Sequence, residues 1–288
     1  MAPEISSNIQ TRDSCDLHTH STASDGSLSP WELVALARDR GLRAIAIADH
    51  DTTAGVRSLQ KTPSGIDVIE GVEIVPAVEI NSEWKGRELH ILGYFIPLGP
   101  SPLEDLLARL RDSRKERVSR TIEKLNSIGM PLDEKRVFEF SSGESVGRPH
   151  IAQAMIEQGY ATSVKDAFDR FLGIGRPGYV ERFHLEPVQS VRTLREAGGV
   201  PVWAHPGTSR ALGQISVLVE NGLMGIEAYH PEHGPKMRQR CLAMAEEHDL
   251  IVTGGSDFHG LAASEGADLG SVVVPYEVVS QLRSAAGR

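Results

Sequence analysis

The 288-residue chain has only two cysteines, Cys15 and Cys241. No disulfide framework can be built from them, and a reducing cytoplasm is the expected compartment. No segment approaches the ~18 consecutive apolar residues of a membrane span. The polar start MAPEISSNIQTRDS lacks the apolar core of a signal peptide. Positive charge is not in excess either: 30 Lys and Arg stand against 39 Asp and Glu, a formal net charge of −9. Such a chain carries no global field that would draw nucleic acid or an anionic membrane. Neither membrane association nor a stable nucleic-acid complex is therefore expected. Internal repeats, heptad runs and low-complexity tracts are absent as well. What remains is an ordinary globular composition, long enough for one barrel-sized domain or two smaller ones.

Within it, apolar strands alternate with helices. Cys15–His20 reads as a short strand. Ser29-Pro30-Trp31-Glu32 supplies a helix cap, a proline for the first turn and the glutamate of a capping box. Gly41 ends that helix, and RAIAIA at 43–48 reads as a buried strand, completing a βαβ unit. Val78–Ile80 and Leu89–Leu92 flank Lys85-Gly86 as a hairpin. Residues 103–128 carry leucine, isoleucine and valine at helical spacing, and further helices are expected at 148–159 and 163–172. The alternation resumes with helices near 187–197, 210–221 and 235–248 and strands at 200–204, 224–229, 250–253 and 271–274. These features imply a mainly parallel sheet, closed or nearly so. Residues 13–97 and 186–288 would form the barrel, and 98–185 a helical insertion.

His18, His20, His50, Glu79, His205, His230, Asp257 and His259 each fall at or just past the end of an expected strand, and His90 joins them from the hairpin. In α/β barrels those ends share one face, where active sites are built. In His18-Thr19-His20 the two imidazoles point the same way, because an extended chain repeats every two residues. Asp257-Phe258-His259 repeats that geometry with a carboxylate first. Mixed imidazole and carboxylate donors favour zinc, iron, manganese or nickel over magnesium alone, and Glu79 could bridge two ions. His150, His184, His233 and His248, taken singly, read as packed or solvent-facing side chains, and Cys15 as a small buried thiol.

Asp16-Leu-His-Thr-His20, Ser24-Asp25-Gly26, Ala48-Asp49-His50-Asp51, Val78-Glu79-Ile80, His90-Ile-Leu-Gly93, Ala204-His205-Pro-Gly207 and Gly255-Ser-Asp-Phe-His259 resemble, in order, the motifs of the PHP (polymerase and histidinol phosphatase) superfamily. The resemblance implies an α/β fold, a distorted (βα)7 barrel with a helical cap insertion. It also implies a cofactor of two or three divalent metal ions, manganese first, with zinc or iron as alternatives. One ion would be held by His18, His20, Glu79 and Asp257. A second would share Glu79 and add His90 and His205, and a third would take Asp25, His50 and His259. Asp49, Asp51 and His230 would sit behind these ligands or on the substrate side.

In the insertion, Ser145-Val-Gly-Arg148-Pro-His150, Asp166-Ala-Phe168 and Gly175-Arg-Pro-Gly-Tyr179 resemble the branch holding 3′,5′-nucleoside bisphosphate phosphatases and the 5′→3′ exoribonuclease RNase AM. That likeness implies a nucleotide or short 5′-phosphorylated RNA as substrate. Arg148, His150 and His230 would contact the substrate or its phosphate. Asp257, His205 and Glu79 would be the catalytic residues, and Asp257 and His205 both remain candidates for protonating the leaving oxygen. A small phosphomonoester of the histidinol-phosphate type and a non-catalytic metal-binding module are the alternatives. The long helix carries Arg109, Arg111, Arg114, Lys115, Arg117, Arg120 and Lys124 among interleaved acids. It reads as a solvated, salt-bridged face or as a cap that guides a polyanion.

Overall fold

The computed structural model describes residues 13–60, 67–141, 144–181, 183, 185–260 and 267–288. The chain opens with β1 (Ser14–Thr19), α1 (Pro30–Asp39) and β2 (Ala44–Ile47), the expected βαβ unit. The start of α1 is a reciprocal capping box: the Glu32 amide donates to Ser29 Oγ, and the Ser29 amide donates to the Glu32 carboxylate. A short α2 (Ala54–Leu59) follows, then β3 (Asp67–Ile69), β4 (Val72–Trp84) and β5 (Arg87–Tyr94). Lys85 and Gly86 both have positive φ, 50° and 76°, the geometry of a two-residue hairpin turn that matches strand twist.

The helical segment comprises α3 (Pro102–Ser127), α4 (Glu134–Phe140), α5 (Arg148–Glu157) and α6 (Val164–Ala167), the last running into a π turn at Phe168–Leu172. The alternating pattern then returns: α7 (Pro187–Glu196), β6 (Val200–Trp203), α8 (Pro206–Ser209), α9 (Ile215–Glu220), β7 (Gly225–Tyr229), α10 (Pro235–His248), β8 (Ile251–Gly254), β9 (Val274–Pro275) and α11 (Glu277–Ala285).

The strands form one barrel-shaped sheet in the order β8-β7-β6-β5-β4-β2-β1-β9, with β3 on β4. The expected parallel pairs are present, β1 with β2, β2 with β4, β6 with β7 and β7 with β8. The sheet is nevertheless mixed rather than mainly parallel. β5 runs antiparallel to both β4 and β6, because a two-residue turn reverses the chain where a parallel partner would need a crossover helix. The long hairpin also places Glu79 and His90 within strands rather than at their ends. Two short helices, α2 and α4, escape the periodicity reading, since six and seven residues make too few turns to show a helical period. The expected helix at 210–221 is a 3₁₀ turn at Leu212–Gln214 followed by α9.

Closure comes from the segment after β8. Thr19 and Phe258 form a parallel bridge, the Asp257 amide donates to the His18 carbonyl at 2.8 Å, and the His20 amide donates to the Phe258 carbonyl at 2.9 Å. Gly255 makes this approach possible: a Cβ there would lie 2.4 Å from the His18 amide nitrogen. Barrel closure and the alignment of two strand-end motifs are thus one event.

The main apolar core packs the sheet against its helices and includes Leu103, Leu106, Leu107 and Leu110 at the start of α3. The later part of α3 belongs to a separate cluster with α4 to α6, built on Val118, Ile122, Leu125, Val137, Ile151 and Met155. Where β4 begins, the Tyr276 hydroxyl donates to Glu73 at 2.7 Å, Arg283 pairs with the same carboxylate, and the Arg43 guanidinium lies over the Tyr276 ring. That end of the barrel is tied by ordinary polar contacts. The opposite end is not.

Candidate metal centre

The strand ends deliver their polar side chains into one small volume. His18 and His20 project from the same face of β1, as a two-residue repeat requires. Asp257 and His259 meet them across the closing bridge. The bridge between His50 and Glu79 brings the end of β2 against β4, and β5 presents His90 alongside. His205, at the end of β6, has φ 27°, and Asp257 has φ 53°. Non-glycine residues in this region are strained, a feature that concentrates at functional sites.

Four atoms define the centre. His18 Nε2 and His20 Nε2 each lie 3.3 Å from Glu79 Oε2, and 3.4 and 3.0 Å respectively from Asp257 Oδ1. All four are buried, and none has a hydrogen-bond partner of acceptable geometry. Buried polar atoms are normally paired, so a shell of inward-facing lone pairs is the signature of a cation site. This set is the first ligand group implied by the family resemblance. A second group gathers His20, Asp25, His50 and His259, with the three imidazoles 3.4 to 3.9 Å from Asp25. It contains the third implied set and adds His20 Nδ1. A third group is His50, Glu79 and His90. His205 reaches it through Glu79 Oε1, which lies 2.9 Å from His205 Nε2 and 2.8 Å from His90 Nδ1. The ligand types and their spacing suit zinc, manganese or iron.

The electrostatics agree. Burial alone would raise the Glu79 carboxyl, but His50, His18 and His90 hold it well below its usual range. Asp25 and Asp257 are also held well down against burial, by His50 and His259 and by His18 and His259 respectively. Burial opposes charge on His259, yet Asp25 and Asp257 push its imidazole up to about 10. The same carboxylates raise His18, His20 and His205 against the effect of burial, so protons on these rings and on His259 offset part of the negative charge.

One residue central to the arrangement escaped the sequence reading. Glu227, fully buried in β7, places Oε1 3.0 Å from His18 Nδ1 and accepts the His205 amide on Oε2 at 2.7 Å. A single carboxylate therefore orients two of the cluster's residues. The signal was present: Gly-Ile-Glu-Ala-Tyr puts an acid in the middle of an apolar strand, as Val-Glu-Ile does at Glu79.

Asp49 faces away from the cluster and gathers the loop that carries Asp25, accepting from the Ser21 amide and from the Ser21 and Ser24 hydroxyls. Asp51 accepts the Asn81 amide and pairs with Arg114 Nε at 2.6 Å, pinning the long helix to the mouth. His230 Nε2 lies 3.4 Å from Asp257 Oδ2. Arg148 pairs with Glu88 at 2.8 Å and lies over the Phe168 ring. His150 is buried, and its Nδ1 accepts the Gly147 amide. It does not line the cleft that Arg148 lines. His233 is packed, between the Ala228 carbonyl and the Gly207 amide. His184 lies outside the described residues. Cys15 is a buried thiol that burial pushes up to about 12, unsuited to act as a thiolate ligand.

Directly over the cluster lies a cleft of about 160 Å³, walled by Asp25, His50 and His90 on one side and Arg114, Arg148 and Phe168 on the other. The basic helix is thus divided. Arg111, Arg114 and Arg117 turn inward, while Arg109, Lys115, Arg120 and Lys124 are exposed.

A barrel of this topology, with imidazoles and carboxylates converging at its mouth under a cationic wall, defines a metal-dependent hydrolase. Residues 16–131 match the family model described as PHP domain. The 5′-3′ exoribonuclease Rnm of Escherichia coli is 31% identical over 249 residues, covering 85% of this chain and 84% of that protein. The phosphoribosyl 1,2-cyclic phosphate 1,2-diphosphodiesterase of Eggerthella lenta is 32% identical, covering 85% and 94%. The 3′,5′-nucleoside bisphosphate phosphatase of Chromobacterium violaceum is 29% identical, covering 88% and 90%. A crystal structure from Bifidobacterium adolescentis, provisionally described as a metal-dependent phosphoesterase, superposes with a TM-score of 0.85 at 30% identity, covering 95% of this chain and 98% of that one. The chain belongs to the PHP family of metal-dependent phosphoesterases.

Two outcomes follow from the geometry. Glu227→Gln keeps the shape but removes the charge behind His18, and should weaken metal affinity by about 10- to 100-fold in a chelator competition. Affinity within about twofold of the parent would deny Glu227 this role. Second, His259 must lose its proton to bind a metal, so uptake near pH 7 should release at least one proton. Apparent affinity should therefore rise with pH up to about 10. The same upward shift means that protonated His259 stabilises the metal-free fold below about 6.5, a contribution lost as pH climbs through about 10. Calorimetry in buffers of different ionisation enthalpy reads the released proton directly, and finding none would contradict the assignment.

Proposed function

We propose that this chain hydrolyses phosphate esters of nucleotides, either 3′,5′-nucleoside bisphosphates or the 5′ end of short phosphorylated RNA. The observation that carries this reading is the cleft itself, with a metal-type cluster as one wall and two arginines, Arg114 and Arg148, as the other. A phosphoryl group placed there meets positive charge from both sides. The relatives point the same way, since each of their names describes an enzyme of phosphate esters on a sugar.

In this reading His18, His20, Glu79 and Asp257 hold one divalent ion. Glu79, His90 and His205 hold a second, and Asp25, His50 and His259 a third, with manganese the first choice. Such ions supply an activated water at neutral pH and neutralise phosphoryl charge. The chain's own residues do the rest. Arg148, braced by Glu88 and stacked on Phe168, and Arg114, braced by Asp51, orient the phosphoryl oxygens and stabilise charge that develops on them. His205 and Asp257 are the candidates for passing a proton to the leaving oxygen. His230 sits behind Asp257 and steadies its second oxygen. The segment 98–185 acts as a cap that supplies the cationic wall. A reducing compartment such as the cytoplasm suits two buried, unpaired cysteines. No helix among the described residues is long and apolar enough to cross a membrane.

The test is a comparison, with manganese present, of a 3′,5′-bisphosphate nucleotide, a short 5′-phosphorylated RNA and histidinol phosphate. The first two should be preferred, Asp257→Asn should abolish turnover, and Arg148→Ala should lower it by about 10²-fold. Preference for histidinol phosphate, or unchanged turnover in Asp257→Asn, would reject the reading.

A further inference from the structure

His205 ends β6 and stands at the N-cap position of the four-residue helix α8, with φ 27° and ψ 58°. The first amides of a helix lack partners within it, and an N-cap side chain normally accepts from one of them. His205 makes no such bond. Its ring is turned the other way, with Nε2 2.9 Å from Glu79 Oε1. The capping falls to His233, in the loop between β7 and α10, whose Nε2 accepts the Gly207 amide at 3.1 Å. His233 is only 3% exposed, and its Nδ1 lies 3.0 Å from the Ala228 carbonyl of β7. A donor facing one nitrogen and an acceptor facing the other admit one arrangement, a neutral ring with its hydrogen on Nδ1. Gly207 is packed to match, since a Cβ there would lie 2.8 Å from His233 Cδ2 and Nε2. The strained turn is thus capped from another strand's loop, which leaves the His205 ring free to face the cluster.

A second side chain acts on the same ring. Thr208 Oγ1 lies 3.0 Å from His205 Nδ1 and 3.0 Å from the His205 carbonyl oxygen. The carbonyl can only accept, so the hydroxyl gives its one hydrogen there and accepts from the ring. His205 Nδ1 therefore carries a hydrogen, and Nε2 is the nitrogen left to bind an ion. The His205 carbonyl also receives the Thr208 amide at 3.0 Å. Removing the hydroxyl thus takes a partner from the ring without orphaning the carbonyl.

We propose that His233 and Thr208 are positioning residues for His205, and that they set the affinity of one ion among those the cluster holds, the one that His205 shares with Glu79 and His90. His233 fixes the turn that carries the ring, and Thr208 selects the tautomer that presents Nε2. The proposal rests on the metal reading above and makes it more specific. Glu227 cannot separate the ions, because it touches both the His18 ring and the His205 amide. His233 and Thr208 can, because each reaches the cluster through the His205 turn alone. His233 is buried, so nothing replaces it when it is cut back. Thr208 is exposed, so water takes part of its place and its removal should cost less.

The experiment titrates manganese into the parent protein, His233→Ala, His233→Gln, Thr208→Val and Thr208→Ser, each stripped with a chelator and checked for an unchanged unfolding temperature. Calorimetry reads the number and affinity of the ions, and anomalous diffraction from crystals grown in manganese locates them. The ion beside His205 and His90 should weaken by up to about 100-fold in His233→Ala and by about tenfold in Thr208→Val, which keeps the shape of threonine without its hydroxyl. The ion at His18, His20 and Asp257 should stay within about threefold of the parent in both. His233→Gln keeps an acceptor for the Gly207 amide and should recover part of the loss, and Thr208→Ser, with its hydroxyl, most of it. If His233→Ala does not fold, Thr208→Val and its serine rescue decide the matter. Parent affinity for every ion in the alanine and valine variants would overturn the proposal while leaving the metal reading intact. An equal loss at all ions, the mark of a merely structural role, would overturn it too. A parent protein that binds no manganese would overturn the metal reading, and the proposal with it.

Discussion

The structure turns on one buried carboxylate. Glu79 is fully removed from solvent, and five imidazoles, those of His18, His20, His50, His90 and His205, lie within 3.3 Å of its two oxygens. An ionised carboxylate in such a place is costly unless compensated. Protons on the histidines provide one compensation and divalent cations provide the other. The atoms left without hydrogen bonds favour the second, because they point at one another rather than at donors. Metal binding and proton release are then two sides of one equilibrium.

Every other feature of the barrel mouth serves to hold donors around Glu79. Gly255 lets the chain after β8 pass close to β1, and the resulting bridge aligns Asp257 with His18 and His20. Glu227 fixes the His18 ring and the His205 backbone from behind. Asp49 folds the loop that presents Asp25. Asp51 reaches outward instead and anchors the long helix through Arg114, so that the cationic wall is registered against the histidine–carboxylate cluster. Rigid placement of this kind is what a charge-stabilising site requires, since donors must already be in position when charge develops.

Much of this was legible in the sequence. The capping box at Ser29 and Glu32, the Lys85-Gly86 turn and the paired donors His18/His20 and Asp257/His259 are local features, and local chemistry decides them. What was hidden depends on tertiary partners. The antiparallel pairing of β5 with β6 follows from which strand the hairpin meets. Glu227 stands out as an acid in an apolar strand, but its partners His18 and His205 come from two other strands and only the tertiary structure names them. Arg111, Arg114 and Arg117 recur every three residues, so they share a helix face with Leu107, Leu110 and Val118, yet their interleaving with acids reads equally well as a solvated surface. His150 carries two signals at once: its motif suggests phosphate contact, and its position in the first turn of α5 lets Nδ1 accept the Gly147 amide.

The central claim is that the convergent lone pairs around Glu79 exist to hold metal. Diffraction from manganese-grown crystals, recorded for anomalous signal, tests it most directly. The expected result is a peak within bonding distance of His18 Nε2, His20 Nε2, Glu79 and Asp257, with further peaks toward His90 and Asp25. Crystals without such a peak, in which His18 and His20 instead make well-formed hydrogen bonds to Glu79 and Asp257, would contradict it.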